Sequence, residues 1–197
     1  MDKTMILTPP HRGVEGENKM WETKTLEVIS ITDVEEIIAA PVPTAAELVH
    51  NISNRSTIRL DLEDLQCFEV IERQYQHWGV IFRNAIALQP SNPAFPPRSG
   101  TTLLLASPRT GFLEIIFLQP VRFFSAYITS SQRTILTAYD QQDKPIAHTE
   151  MSGANLAGSN SIIPPNLQLS INVPNIYRVT FYAFDGQLTV DDISFSF

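Results

Sequence analysis

The chain has 197 residues, 43% of them hydrophobic and 18% charged, with 14 basic against 21 acidic side chains and a formal net charge of −7. A length of this order suits one domain with an appendage. The acidic balance, with Arg and Lys scattered singly, argues against a broad nucleic-acid footprint, which needs a basic stripe neutralising several phosphates together.

Residues 1–55 read as an extended N-terminal arm. They hold nine acidic and five basic side chains, with Pro9, Pro10, Pro41 and Pro43 as breakers. Met5-Ile6-Leu7 runs straight into Pro9-Pro10, so no secretion-signal core is expected. No stretch approaches the roughly 20 apolar residues of a membrane helix. Membrane insertion is therefore not expected, and a virion or cytoplasmic assembly fits better than classical secretion. Thr25–Thr32 partly alternates and reads as a strand. Asp33–Ile38 is ambiguous between strand and helical turn. Thr44 and Glu47 have capping-box spacing for a brief helix. Trp21, Leu26, Val28, Ile29 and Ile31 are too apolar for a purely solvated linker. Two readings stand for them: edge strands packed back on the chain's own domain, or a clamp across a partner subunit.

From residue 56 to 197 the pattern changes to short strands separated by turn clusters. Candidate strands are Ile58–Leu62, Gly79–Leu88, Thr102–Leu105, Leu113–Phe117, Phe123–Ser130, Thr134–Tyr139, Ala147–Glu150, Gln168–Ile171, Arg178–Ala183 and Gln187–Phe195. Cys67, the only cysteine, excludes an internal disulfide and a thiolate-rich zinc site, and it reads as a small buried hydrophobe. Prolines 90, 93, 96 and 97 break one ladder, Gln141–Pro145 is a turn, and Asp185-Gly186 signals a tight hairpin. Alternation gives each strand one apolar face, as in Ile193, Phe195 and Phe197 against Ser194 and Ser196. About ten such strands stack most simply as two sheets. The expected fold is all-β, a jelly-roll-like antiparallel β-sandwich carrying the arm.

Asp61-Leu62-Glu63-Asp64-Leu65, followed by Tyr75-Gln76-His77-Trp78-Gly79-Val80-Ile81-Phe82, resembles the opening of a bacterial jelly-roll domain frequent in cyanobacterial and PEP-CTERM-type surface proteins. The middle of that domain is similar to Ile115–Val121 and Leu136–Asp140. Its ending is similar to Ile176–Phe181 and Leu188–Phe195. The resemblance covers about 135 residues and implies a carbohydrate-binding-module-like sandwich.

Asp61, Glu63 and Asp64 on the first sandwich strand and Asp191 and Asp192 on the last are the strongest chemical constellation. If those strands lie side by side, their oxygens suit a structural calcium; otherwise they are ordinary strand and turn carboxylates. Tyr75 and Trp78, in an expected loop, are the candidate sugar-stacking rings. His11, His50, His77 and His148 are dispersed. No nucleophile elbow or phosphate-cradling loop is present, and no two acids stand out as a glycosidase pair. The sequence therefore predicts a non-catalytic protein. One reading is a structural or assembly component, such as a virion decoration protein, partnered by protein subunits through the arm. The alternative is a carbohydrate-binding module with a glycan partner.

Overall fold

The computed structural model describes residues 36–39 and 57–197, within a compact unit running from Asp33 to Phe197. The expectations for Trp21, Leu26, Val28, Ile29 and Ile31, the strand at 25–32 and the brief helix at 43–49 fall outside these residues. The strands in chain order are β1 (Glu36–Ala39), β2 (Thr57–Leu60), β3 (Val70–Ile71), β4 (Val80–Arg83), β5 (Ala85–Leu88), β6 (Leu103–Ala106), β7 (Phe112–Ser130), β8 (Thr134–Tyr139), β9 (Pro145–Met151), β10 (Leu167–Tyr182) and β11 (Leu188–Ser196). One 3-10 turn, Gln76–Trp78, precedes β4.

Two pairs of expected strands are each one long strand. β7 joins Leu113–Phe117 to Phe123–Ser130 through Pro120, and β10 joins Gln168–Ile171 to Arg178–Ala183. Leu118, Gln119 and Pro120 are exposed between the two buried runs of β7. In β10 the pairing register slips between Asn172 and Arg178, with Asn175 at φ +65°. The converse holds at Gly79–Leu88, which Asn84, at φ +61°, divides into β4 and β5. Asn tolerates the left-handed region at low cost, so both asparagines are placed where the chain must turn a corner.

These bends divide the pairing into two layers. The first has the order β4, the start of β7, the end of β10, β8 and β9. The second has the start of β10, the end of β7, β11, β6, β5 and β3, with β2 beside the last turn of β11. Rings cross between the layers: Phe117 meets Phe195 at 5.3 Å and Phe124 at 6.1 Å, and Phe124 meets Phe181 at 6.0 Å. Phe82, Phe124, Phe181 and Phe195 are fully buried. Each such ring contributes about 2–3 kcal/mol of apolar transfer, so the sandwich is fixed by its aromatic centre.

β1 settles one ambiguity: Asp33–Ile38 ends as a strand, Glu36–Ala39, paired parallel with Thr57–Leu60. The Asp185-Gly186 signal marks a real tight turn, with Phe184 and Asp185 both at positive φ and Gly186 N–H donating to the Ala183 carbonyl. It is not a hairpin, however. β10 enters it from the first layer and β11 leaves in the second, and the two strands do not pair. Cys67 is exposed rather than buried, because it lies in the turn before β3 and not in a strand. Among the described residues no helix is long and apolar enough to cross a membrane.

Candidate functional site

The outer faces of the two layers differ. Over the second layer lie two irregular segments, roughly 90–101 and 152–166. They are joined to each other through Ala157 N–H to the Ala94 carbonyl and Asn166 Nδ2 to the Pro96 carbonyl. Asn155, fully buried, pins the second segment to β7 by donating to the Ile128 carbonyl and accepting from Ser130 N–H.

The sequence-predicted acids hold this roof. Glu63 accepts from Thr101 N–H (3.0 Å), the Thr101 hydroxyl (2.9 Å) and Thr102 N–H (3.0 Å). Asp191, buried, accepts from Arg98 N–H (2.7 Å) and Ser99 N–H (3.3 Å) through Oδ2, and from Asp192 N–H through Oδ1. Asp192 accepts from the Arg59 guanidinium (2.9 Å) and the Ser99 hydroxyl (2.6 Å). Asp61 accepts from Glu63 N–H, and Asp64 is exposed. A β-bulge between Asp191 and Ser194, with Asp192 at φ +44°, aims the two adjacent acids in different directions. Asp61, Glu63 and Asp64 lie beyond the end of β2, with Glu63 and Asp64 in a turn rather than on the first strand, and Glu63, Asp191 and Asp192 each bind the segment 98–102. N–H and O–H donors face their oxygens, and among the described residues no three His, Cys, Asp or Glu side chains are grouped to share an ion. What the structure shows these carboxylates doing is fastening residues 98–102.

Burial and these bonds balance in opposite senses at Asp191 and Glu63. It pushes Asp191 above the usual aspartate value despite the Arg98, Asp192 and Ser99 N–H groups. For Glu63 burial also pushes upward, but the Thr102 and Thr101 donors together hold the carboxyl below its usual value.

Tyr75 and Trp78 do not form a sugar platform. Tyr75 is 0% and Trp78 5% exposed. The Tyr75 hydroxyl donates to the Asp61 carbonyl and its ring meets Phe82 edge-on at 5.9 Å. Their segment looks like a loop in sequence, but its 3-10 turn folds both rings under β4, ending at Gly79 (φ +79°).

Among the described residues, no such roof lies over the outer face of the first layer. The register aligns its side chains in rows. Arg83, Glu114, Thr180, Thr137 and His148 form one. Ile81, Ile116, Arg178 and Tyr139 form the next on one side, and Phe112, Tyr182, Ile135 and Glu150 on the other. A groove of about 370 Å³ opens here, lined by Arg83, Glu114, Ile116, Asp143, Tyr177 and Arg178 among others. Glu114, only 8% exposed, sits at its floor and accepts from Arg83 Nη1 (3.2 Å) through one oxygen and Arg178 Nη1 (3.0 Å) through the other. Arg178 also donates from Nε to Asp143 (3.1 Å), and its guanidinium carbon lies over the Tyr139 ring, 3.8 Å from the ring centre. Arg suits this position because its planar fork holds two carboxylates and a ring at once. The result is a buried carboxylate flanked by Arg178 and by the more exposed Arg83 and Asp143, a set of charged donors and acceptors on a sheet face.

At the end of the same face the Phe184 ring meets Tyr182 at 4.6 Å, and the Arg133 guanidinium lies 5.1 Å from its centre. Arg133 is paired in turn with Glu150 at 3.0 Å. Sequence reasoning passed over Glu114, Arg178 and Phe184. The available signal was a single charge inside an apolar strand, Glu114 in Phe112–Phe117 and Arg178 in Ile176–Phe181.

No family model matches the chain, and no curated protein matches it. Among solved structures it is similar to an arabinose-bound family 51 α-L-arabinofuranosidase, at 9% identity and a TM-score of 0.40, covering 68% of this chain and 25% of that one. It is similar to a family 61 carbohydrate-binding module in complex with β-1,4-galactotriose, at 10% identity and 0.36, covering 60% and 88%. A family 29 carbohydrate-binding module from Piromyces equi gives 9% and 0.36, covering 60% and 80%. The chain thus spans a quarter of the arabinofuranosidase's length. Likeness at this level says nothing about ligand, which has to be argued from the residues.

Proposed function

We propose that this protein is a non-catalytic carbohydrate-binding module whose glycan lies across the outer face of the first layer. The observation behind this reading is the contrast between the two sheets. One is roofed by loops that its acids fasten, while the other presents an open groove with buried Glu114 at its base and Arg178, Arg83 and Asp143 around it. Such a surface offers charged donors and acceptors to vicinal hydroxyls. Catalysis is a poorer fit. Both oxygens of Glu114, the buried carboxylate of the groove, are engaged by guanidinium groups, a poor arrangement for an acid opposite a nucleophile. The kinship with cyanobacterial and PEP-CTERM-type surface proteins suggested by the sequence motifs is part of the same proposal. The assembly reading rests on arm residues outside those described, so glycan binding is the reading with geometry behind it.

Affinity electrophoresis in gels containing β-1,4-galactan, β-1,4-mannan or arabinan tests this. The wild-type chain is expected to be retarded in at least one gel, with Arg178→Ala restoring free mobility at an unchanged circular-dichroism spectrum. Free migration of the wild-type protein in all three would sink the proposal.

A further inference from the structure

We infer that Phe184 and Tyr182 form the far end of this same face, so that its occupant is an extended neutral oligosaccharide rather than a single sugar. The inference rests on the glycan-binding reading above.

Phe184 is an unusual residue for its position. It occupies the first central position of a tight turn at φ +49°, followed by Asp185 at +62°. Turns with two left-handed residues favour Asn, Asp and Gly; a bulky aromatic there is an outlier that calls for a reason. Core packing does not supply one, because Phe184 is 42% exposed. The turn instead folds the ring onto Tyr182, which is itself partly exposed, and beside the Arg133–Glu150 pair. Strain of this kind persists where the surrounding structure enforces it, and observed strain is a pointer to function.

The placement fits one continuous site. Tyr182 is in register with Phe112 and Ile135, one row along from Glu114, Thr180 and Thr137. Tyr182 and Arg178 point to the same side of β10, four residues apart, which at the usual strand rise is about 13 Å. One sugar held over Arg178 does not reach the ring pair, whereas a linear chain running along β10 touches both. The chemistry divides accordingly. The ring faces receive the apolar C–H face of a pyranose, as aromatic surfaces do, and Arg133 and Glu150 stand beside them for hydroxyls. Charge selects a neutral chain. Arg83 and Arg178 are paired with Glu114 and Asp143, and Arg133 with Glu150, and Asp140 also lines the groove, so these cations leave no excess positive charge to attract uronate or sulfate groups.

Calorimetric titration with mannohexaose, cellohexaose and β-1,4-galactohexaose, each beside its disaccharide, tests the inference. For the hexasaccharide that binds, wild-type affinity is expected to exceed that for the disaccharide by about tenfold or more. Phe184→Ala should remove that advantage by lowering hexasaccharide affinity, while Phe184→Tyr keeps it. Phe184→Gly, which suits the positive φ, removes the ring without removing the turn and should match the alanine variant. Wild-type hexasaccharide affinity in both ring-less variants would overturn the far end while leaving glycan binding intact. Failure of all three hexasaccharides to bind the wild-type chain would overturn the underlying reading as well.

Discussion

Glu63 shows how much a single side chain is asked to hold. Its carboxylate carries the 101–102 backbone and lies where any side chain on Gly100 would go: a Cβ there would sit 2.2 Å from Oε1, at φ +56°. Its bonds hold it below the usual 4.5, so its contribution to stability is present above that value and is lost as pH falls through the lower folded one. The difference in stability between wild type and Glu63→Gln is therefore expected to be largest near neutral pH and to shrink in acid; urea unfolding across that range checks it. Asp191 works in the opposite sense. Burial raises its folded value, so its contribution declines as pH rises from the usual 3.8 through that raised value. Tyr75 is a simpler case. Burial, aided by the charges of Asp61, Asp64 and Glu69, pushes its phenol far above the usual range, so it remains a hydrogen-bond donor to Asp61 at any ordinary pH. Tyr75→Phe should cost about 1 kcal/mol in denaturant unfolding and leave glycan binding untouched, since the hydroxyl is an anchor inside the fold.

At the scale of elements, the two long strands carry the argument. β7 and β10 each serve both layers, and their bends at residues 118–120 and 173–177 turn the sheet over on itself. The bend leaves Phe124 of one layer facing Phe181 of the other, so Phe124→Ala opens a cavity between sheets and should cost about 3–5 kcal/mol, read as a lower urea midpoint. Glu114 lies on the same strand but faces outward. Glu114→Gln keeps the shape yet leaves Arg178 and Arg83 without their shared carboxylate. A loss of about 1–3 kcal/mol is expected, with weaker retardation in the affinity gel. Strand existence was legible from alternation, as in β8, where Thr134–Tyr139 has the expected bounds. Strand continuity was not. A proline within an apolar run reads as a break, and only the neighbouring strands reveal whether pairing resumes on its far side.

For the whole molecule, the edge strand β1 matters most. It covers β2 by parallel pairing over Thr57–Leu60, and an uncovered edge is a template for association. A chain beginning at Thr57 is expected to self-associate more at high concentration than one beginning at Asp33, measured by sedimentation velocity. Equal behaviour would show that β1 contributes no edge protection.

The all-β class, the existence of most strands and the turns just before Pro145 and at Asp185-Gly186 were determined by the sequence itself, because period-2 alternation and turn chemistry are local properties. The tertiary structure decided what these residues do. Whether Tyr75 and Trp78 face solvent depends on a turn that tucks them under β4. Whether Glu63, Asp191 and Asp192 gather a cation or grip a loop depends on where residues 98–102 run. Whether Glu114, Arg178 and Phe184 share one face depends on the register among five strands. Each of these is a long-range juxtaposition, and no local pattern of residues records it.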